Sequence, residues 1–410
     1  MSKLKGVIFS VEDTLVPQGS IDQSMFAEVT KLVGYLLSIN IEISVFTNRS
    51  WVVGESKTPL EEVLKSHWGD TFTYYCRQDD SGIPAKPRAD STAYVLDKMK
   101  LESHEVLYIG SSENDMRTAV NGKLLFLRAT WWANKTEYGF EFDSPKSIAK
   151  YIDTFCLRDH LWCHEIHDNN FRFYALAPFS TMKPEYTLYS RDAKSAAKHG
   201  LGHPDFWTSA LFSSLYFSGI HTEIDYITTY PGHKEGSGNV IMEEAGSVFA
   251  KCFRKTYIPD LIIRHKKALK SQDARNANVP IDHLNQLNTI KLNKTPRRSA
   301  KNLFKNPPLK RGKTVLLIDD ICTRGYSLES ARAYIERTGA KVIMASWLKT
   351  INTDIETLGA QINFDPYVEN TFKSAAKGVI HGYRANFTDL LAPTELTNQF
   401  KAYEDWDWPQ

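Results

Sequence analysis

Residues 314–327, TVLLIDDICTRGYS, decide how the second half of the chain folds. Thr314–Ile318 is a short, almost wholly apolar run, which suits a strand buried on both faces of a parallel sheet. Two adjacent carboxylates follow, Asp319 and Asp320, and then a tight polar loop, Ile321–Tyr326, carrying Gly325. A helix is predicted to begin at Ser327 with that serine as its cap. Carboxylates at the carboxyl end of a strand, beside the free N–H groups of a helix start, make a site for a phosphorylated sugar. The acids accept from ribose hydroxyls, while loop amides and the helix dipole hold a phosphate.

The order of strand, acid pair, glycine loop and helix in LLIDDICTRGYS resembles the fingerprint of type I phosphoribosyltransferases, which bind 5-phosphoribosyl 1-pyrophosphate (PRPP). The resemblance implies that Asp319 and Asp320 hold the ribose 2′ and 3′ hydroxyls and that Thr323, Arg324, Gly325, Tyr326 and Ser327 cradle the 5′-phosphate. It implies Mg²⁺ bound together with PRPP, with no direct protein ligand to the metal expected. Arg324 departs from the family, which has a small residue there; a guanidinium at that position suits either a phosphate contact or a filled loop.

Upstream, a strand at Ile224–Thr228 runs into TYPGHKEGSG, and Tyr230, Gly232, His233 and Lys234 match the family's pyrophosphate loop. A helix over Val240–Phe253 and a strand at Pro259–Ile263 complete the unit between the two loops. Between Lys251 and Lys313 stand 17 Lys and Arg against three acids, Asp260, Asp273 and Asp282, a net +14 where the whole chain carries +2. Such asymmetry points to a polyanion. In phosphoribosyltransferases of the competence-associated and amidophosphoribosyl type a basic loop here closes over PRPP. Arg264, Lys266, Lys267, Arg275, Arg297 and Arg298 exceed what one pyrophosphate needs, so a solvated face and nucleic-acid binding through residues 251–313 stay open.

The first 155 residues alternate strand and helix: VIF near residue 8, a helix over Ile21–Ile39, a strand at Glu42–Phe46, helices at Pro59–Ser66 and Ser91–Met99, a strand at Glu105–Ile109 and a helix at Glu113–Val120. That pattern predicts a doubly wound α/β domain. Its motifs VIFSVEDTL, VFTN, PAKPRAD and GSSEND resemble those of haloacid dehalogenase-like (HAD) phosphatases. The resemblance puts Ser10 at the nucleophile position, Glu12 at the general acid, and Thr47, Lys86 and Asp115 at the remaining motif positions. A phosphoaspartyl enzyme needs a carboxylate both to attack phosphorus and to hold Mg²⁺. With serine there, the domain is expected to be a pseudophosphatase. Thr47 lies 37 positions after Ser10 and Lys86 39 after Thr47, too close for a large cap, so an open pocket suited to a protein partner is expected.

Residues 156–203 are predicted to be a linker or hood. Their DHLWCHEIHD stretch gathers Asp159, His160, Cys163, His164 and His167, and the alternating apolar residues around them favour strand pairing over a metal site. Residues 204–410 form the phosphoribosyltransferase-like domain, opening with a helix at Pro204–Phe217 that has one buried face. Its aromatic tail, with Phe364, Tyr367, His381, Tyr383 and EDWDWPQ, suits either stacking on an acceptor base or docking on the first domain.

A length of 410 residues asks for more than one core. Five scattered cysteines without CxxC spacing suggest neither a disulfide framework nor zinc. No run reaches the length of a membrane span and the start MSKLKGVIF lacks a signal peptide's apolar core, so a cytoplasmic protein without a membrane partner is expected. The expectation is therefore two doubly wound α/β domains: an inactive HAD-like domain for regulation or docking, and a domain transferring phosphoribosyl from PRPP to an acceptor with release of pyrophosphate. The alternatives are a sensor of PRPP or nucleotide without turnover, or an accessory factor for nucleic acid. The pairing looks like fusions in bacterial stress or phage-defence operons, by analogy alone.

Overall fold

A computed structural model describes residues 4–17, 21–132, 136, 138–168, 171–236, 238, 240–269, 282–299, 301–359, 363–387 and 389–409. Two six-stranded sheets organise it. The first comprises β1 (Gly6–Phe9), β2 (Glu42–Thr47), β3 (Phe72–Cys76), β4 (Val106–Gly110), β5 (Leu125–Ala129) and β6 (Phe140–Phe142), in the order β3-β2-β1-β4-β5-β6. All of its pairings are parallel. The central strands GVIF, VLYIG and LFLRA are buried throughout, because the helices α1 (Gln23–Ser38), α2 (Leu60–Trp68), α3 (Ala89–Met99), α4 (Glu113–Gly122) and α5 (Pro145–Tyr151) connect strands that share both covered faces. The winding reverses between β1 and β4.

The second sheet holds β7 (His164–Asp168), β8 (Phe171–Phe179), β9 (Tyr226–Thr229), β10 (Thr256–Tyr257), β11 (Thr314–Cys322) and β12 (Lys341–Thr350), in the order β10-β9-β11-β12-β8-β7. Five strands are parallel and β7 lies antiparallel at the edge. Around it lie α6 (Pro184–His199), α7 (Pro204–Phe217), α8 (Val240–Cys252), α9 (Tyr326–Glu336) and α10 (Ala392–Tyr403). From β9 the chain passes through α8 to the edge strand β10, and from β11 through α9 to β12 on the other side. The neighbours β9 and β11 thus flank a second reversal of winding, where open α/β sheets leave a crevice at the strands' carboxyl ends.

Several expectations are corrected. Residues 156–203 are not a linker or hood, since β7 and β8 belong to the second sheet and α6 packs on it. The burial of Phe173–Ala177 shows why: the run needs a sheet on both sides. The acid pair does not follow β11 but lies within it, because β12 continues alongside and pairs Asp319 with Ser346 and Cys322 with Lys349, whereas β9 stops opposite Ile318. Pro259–Ile263 is not a sheet strand. The edge position goes to Thr256–Tyr257, and Ile262–Arg264 pairs antiparallel with Ile290–Leu292 in a separate ribbon.

Helix α7 is buried around nearly its whole circumference rather than on one face. It sits between the two sheets: the Tyr216 hydroxyl donates to the Val106 carbonyl at 2.6 Å, Ser213 and Tyr151 share a hydrogen bond of 2.9 Å, and Trp207 stacks on Trp347 at 6.0 Å. One apolar core therefore runs from β1 to β12. The tail closes the same seam. Trp406 donates to Asp153 at 2.8 Å, Trp408 meets Tyr35 edge-on and Asp407 pairs with Lys146, which decides for docking of Trp406–Trp408 on the first domain. Phe364, by contrast, packs on Tyr334 and Phe372 in the second domain.

Candidate functional site

The crevice between β9 and β11 brings the two predicted loops together. Asp319 and Asp320 are half-buried at the point where β9 has ended, and the loop from Tyr230 leaves directly across from them. The Asp320 N–H donates to Asp319 at 2.9 Å and the Ile321 N–H to Asp320 at 2.7 Å. Burial and the adjacent Asp320 carboxylate push the Asp319 carboxyl well above the usual range, with Arg264 acting in the opposite sense. Tyr230 ties the crevice together: burial raises its phenol, Arg264 opposes this, Asp319 adds to it, and Ser327 hydrogen-bonds the hydroxyl.

The loop after the acids is set by Gly325 at φ +76°, where a Cβ would come within 2.8 Å of the Ile355 side chain. Gly325 is also the cap position of α9, which has no side-chain cap, so Ser327 lies inside the first turn and not at the cap. This correction leaves the Ser327 hydroxyl free of capping and directed toward Tyr230. Arg324 is exposed and does not fill the loop: the Tyr326 hydroxyl, then Glu356 and Asp354, hold its guanidinium strongly protonated. Thr323 shares a hydrogen bond of 3.0 Å with Thr350.

Beneath the loop lies a lysine that the sequence did not flag. Lys349, at the end of β12, is 2 % exposed and donates to the Thr323 and Thr353 carbonyls and, at 2.7 Å, to the Thr353 hydroxyl. Burial lowers its pKa. The one signal was a second lysine, after Lys341, near the end of the mostly apolar strand KVIMASWLKT. Opposite, Arg264 is buried and pins the loop after β9, donating to the Gly232 carbonyl at 2.7 Å and the Tyr230 hydroxyl at 3.0 Å. Its strand pair, Ile262–Arg264 with Ile290–Leu292, covers that loop, and the Ala268 N–H donates to the His233 carbonyl at 3.1 Å. His233 is half-buried and Lys234 exposed at the crevice mouth.

The basic segment is not one surface. Arg264 is spent on the loop, Lys291 pairs with Glu369 at 3.0 Å, Arg297 approaches Asp260 at 3.7 Å and Lys313 pairs with Asp225 at 2.8 Å. Lys266 and Lys267 lie exposed near the crevice, whereas Arg298, Lys305 and Lys310 line a different cleft. Arg275 lies outside the described residues.

In the first domain Ser10 follows β1, Thr47 ends β2, Lys86 precedes α3 and Asp115 stands in the first turn of α4. All lie at the carboxyl edge, and Ser10, Lys86 and Asp115 form a closed network there. Lys86 Nζ donates to Asp115 at 2.8 Å, to Ser10 at 3.0 Å, to the Tyr108 hydroxyl at 3.1 Å and to the Phe46 carbonyl at 3.2 Å. Ser10 donates to the same Asp115 oxygen at 2.6 Å, while Ser112 donates to the other, through its hydroxyl at 2.8 Å and its N–H at 3.0 Å. Gly110 permits this approach, since a Cβ there would lie 2.6 Å from that of Asp115. Burial opposes both charges, yet the pair outweighs it: the Lys86 ammonium is raised and the Asp115 carboxyl lowered. Asn48, unflagged by sequence, clamps the Lys86 backbone, accepting from its N–H at 2.8 Å and donating to its carbonyl at 3.0 Å.

The expected open pocket is thus corrected: Ser10 is 1 % exposed and closed over by the buried Lys86–Asp115 ion pair. Glu12 is exposed, and the Thr47 hydroxyl is engaged by the Arg49 N–H at 3.2 Å and the Trp51 indole at 3.1 Å. These residues do not fit Mg²⁺, because both Asp115 oxygens are already taken and an ammonium stands beside them. Asp319 and Asp320 do fit a cation: burial and the adjacent Asp320 carboxylate raise the Asp319 carboxyl, and positive charge beside the pair relieves that.

Among the described residues no group of three or more His, Cys, Asp or Glu is arranged to hold a metal. His164 is buried, with its pKa depressed to about 3 by burial and then by Lys349. His160 pairs with Asp389, and His167 bonds Tyr174 at 2.6 Å. No helix among them is long and apolar enough to cross a membrane.

No family model and no curated protein matches the chain. Solved structures that match include a HAD-superfamily hydrolase from Ehrlichia chaffeensis, at 16% identity over 37% of this chain and 98% of that one, with TM-score 0.28. Another is the D,D-heptose 1.7-bisphosphate phosphatase from B. bronchiseptica complexed with magnesium and phosphate, at 12% identity over 36% and 98%, with TM-score 0.28. A chain from Lactobacillus delbrueckii subsp. bulgaricus, named for phosphoglycolate phosphatase, matches at 18% identity over 31% of this chain but only 53% of its own length, with TM-score 0.26. At these scores the likeness decides neither family nor activity. The second domain is a mixed α/β unit on a parallel sheet, as is the first.

Proposed function

We propose that the second domain binds PRPP in the β9–β11 crevice and transfers its phosphoribosyl group to an acceptor, and that the first domain is a HAD-like scaffold without phosphatase chemistry. One observation carries the reading: at a reversal of winding, a half-buried acid pair faces a glycine-bearing loop pinned by a buried arginine. In this reading Asp319 and Asp320 accept from the ribose 2′ and 3′ hydroxyls, and the Thr323–Ser327 backbone holds the 5′-phosphate over Lys349. Arg324 stands at the loop mouth, where its guanidinium reaches phosphate once Tyr326 yields it. The amides of Gly232 and His233, with Lys234, receive the pyrophosphate.

The acceptor's lone pair attacks the anomeric carbon as the bond to pyrophosphate breaks, and the acceptor's proton leaves with it. Positive charge develops on the ribose ring, so positioning and the exclusion of water supply most of the rate. The ribbon carrying Arg264 is the element that excludes water. Mg²⁺, bound with PRPP beside the acid pair, supplies neutralisation of the departing charge. Ser10 takes no part in chemistry, since its proton is committed to Asp115 and its oxygen accepts from Lys86.

Pyrophosphate release from PRPP and Mg²⁺, assayed across a panel of nucleobases, tests the transferase step. Release that disappears in Asp320→Ala supports it. PRPP binding without release for any acceptor would favour a sensor, for which the commitment of Arg324 to Tyr326 speaks. Phosphatase activity that vanishes in Ser10→Ala would overturn the scaffold reading.

A further inference from the structure

A second site lies at the opposite edge of the same sheet, where β9 and β11 begin. A cleft of about 820 Å³ is lined there by Arg298, Lys305, Lys310 and Lys313 and by the rings of Tyr226 and Phe304. Along β11, Thr314 beside the cleft and Asp319 at the PRPP crevice are five residues apart, about 16 Å at about 3.3 Å each. Among the described residues no acid lines the cleft, and Asp225, beside Tyr226, is paired with Lys313 at 2.8 Å.

The aromatic pair sits among the cations. Tyr226 meets Phe304 edge-on at 6.3 Å, the Arg298 guanidinium lies over Phe304 at 5.9 Å and the Lys313 ammonium over Tyr226 at 5.9 Å. Arg298 is presented by the hairpin of Arg297–Ser299 with Asn302–Leu303, while its neighbour Arg297 turns away to Asp260 and Glu243. Leu303 stays 59 % exposed at the rim. Cations alone would suit any polyanion. Ring faces interleaved with them match a ligand alternating phosphate with accessible base, and a duplex keeps its bases inside the stack.

We infer that this cleft binds single-stranded nucleic acid, with phosphates on Arg298, Lys305 and Lys310 and a base stacked at Phe304. The inference does not rest on the PRPP reading, and either can fail alone. The test is fluorescence anisotropy of a labelled oligothymidylate about 12 nucleotides long, with the full chain, at several salt concentrations. Three neutralised phosphates predict a slope of log affinity on log salt of about −2.

Phe304→Ala is expected to weaken binding about five-fold or more, Phe304→Trp to preserve it, and Arg298→Gln with Lys305→Gln to weaken it and flatten the salt slope. Lys267→Gln, on the crevice side, should change little. A duplex of the same length bound equally well, Phe304→Ala without effect, or Lys267→Gln as damaging as the cleft substitutions would each overturn the proposal. The first and last would indicate diffuse electrostatic attraction.

Discussion

On Asp115 the Lys86 ammonium, the Ser10 hydroxyl and Ser112 converge, and every one of its acceptor positions is occupied inside the protein. Removing one member of such a pair leaves a buried charge alone. Lys86→Met or Asp115→Asn is therefore expected to cost about 3–5 kcal/mol, and the double variant Lys86→Met with Asp115→Leu to recover most of it, in urea unfolding. The lowered Asp115 carboxyl contributes stability above the ordinary carboxylate value of about 3.9, lost as pH falls toward its folded value. Asp319 behaves in the opposite sense. Its carboxyl is raised, so the unfolded chain ionises first and stability falls as pH climbs from about 3.9 toward the folded value. Asp320→Asn removes the neighbouring charge, and a higher Tm at neutral pH, shrinking as the solution is acidified, is the expected outcome of thermal melts. No change in Tm would show that the two carboxylates do not interact.

Helix α7 shows what a sequence can and cannot tell at the scale of elements. Its ends, Pro204 and Phe217, follow from the proline start and the apolar run, but its burial on all sides does not. A helix apolar all round is indistinguishable from one with a generous face until its second neighbour is known, and here that neighbour is another domain's sheet. The carboxyl-edge loops were legible because glycine, acid and basic residues mark them in order. Lys349 was not, since a lysine near the end of a mostly apolar strand usually reaches solvent. The split of the basic segment was hidden for a related reason: charge counting is blind to the strand direction that sends Arg264 to one edge of the sheet and Arg298 to the other. Trp207→Ala should cost about 3–5 kcal/mol, and since α7 serves both sheets the loss should appear as one shifted transition by fluorescence and by circular dichroism alike. Separation into two transitions would mean that the sheets do not share a core.

At the scale of the whole molecule, the two sheets differ both in strand order, the second carrying the antiparallel edge strand β7, and in what occupies the carboxyl edge. In the first, lysine and aspartate neutralise one another and serine seals the space. In the second, Asp319 and Asp320 accept from backbone N–H groups and stand across from the loop that begins at Tyr230. The shared core and the docked tail join the first domain to the second. The most direct test is calorimetric titration of PRPP with Mg²⁺ into the full chain. The expected result is saturable binding that is lost in Asp319→Asn with Asp320→Asn and unchanged in Ser10→Ala. Absence of binding, or binding that survives loss of both carboxylates, would contradict the assignment of the β9–β11 crevice.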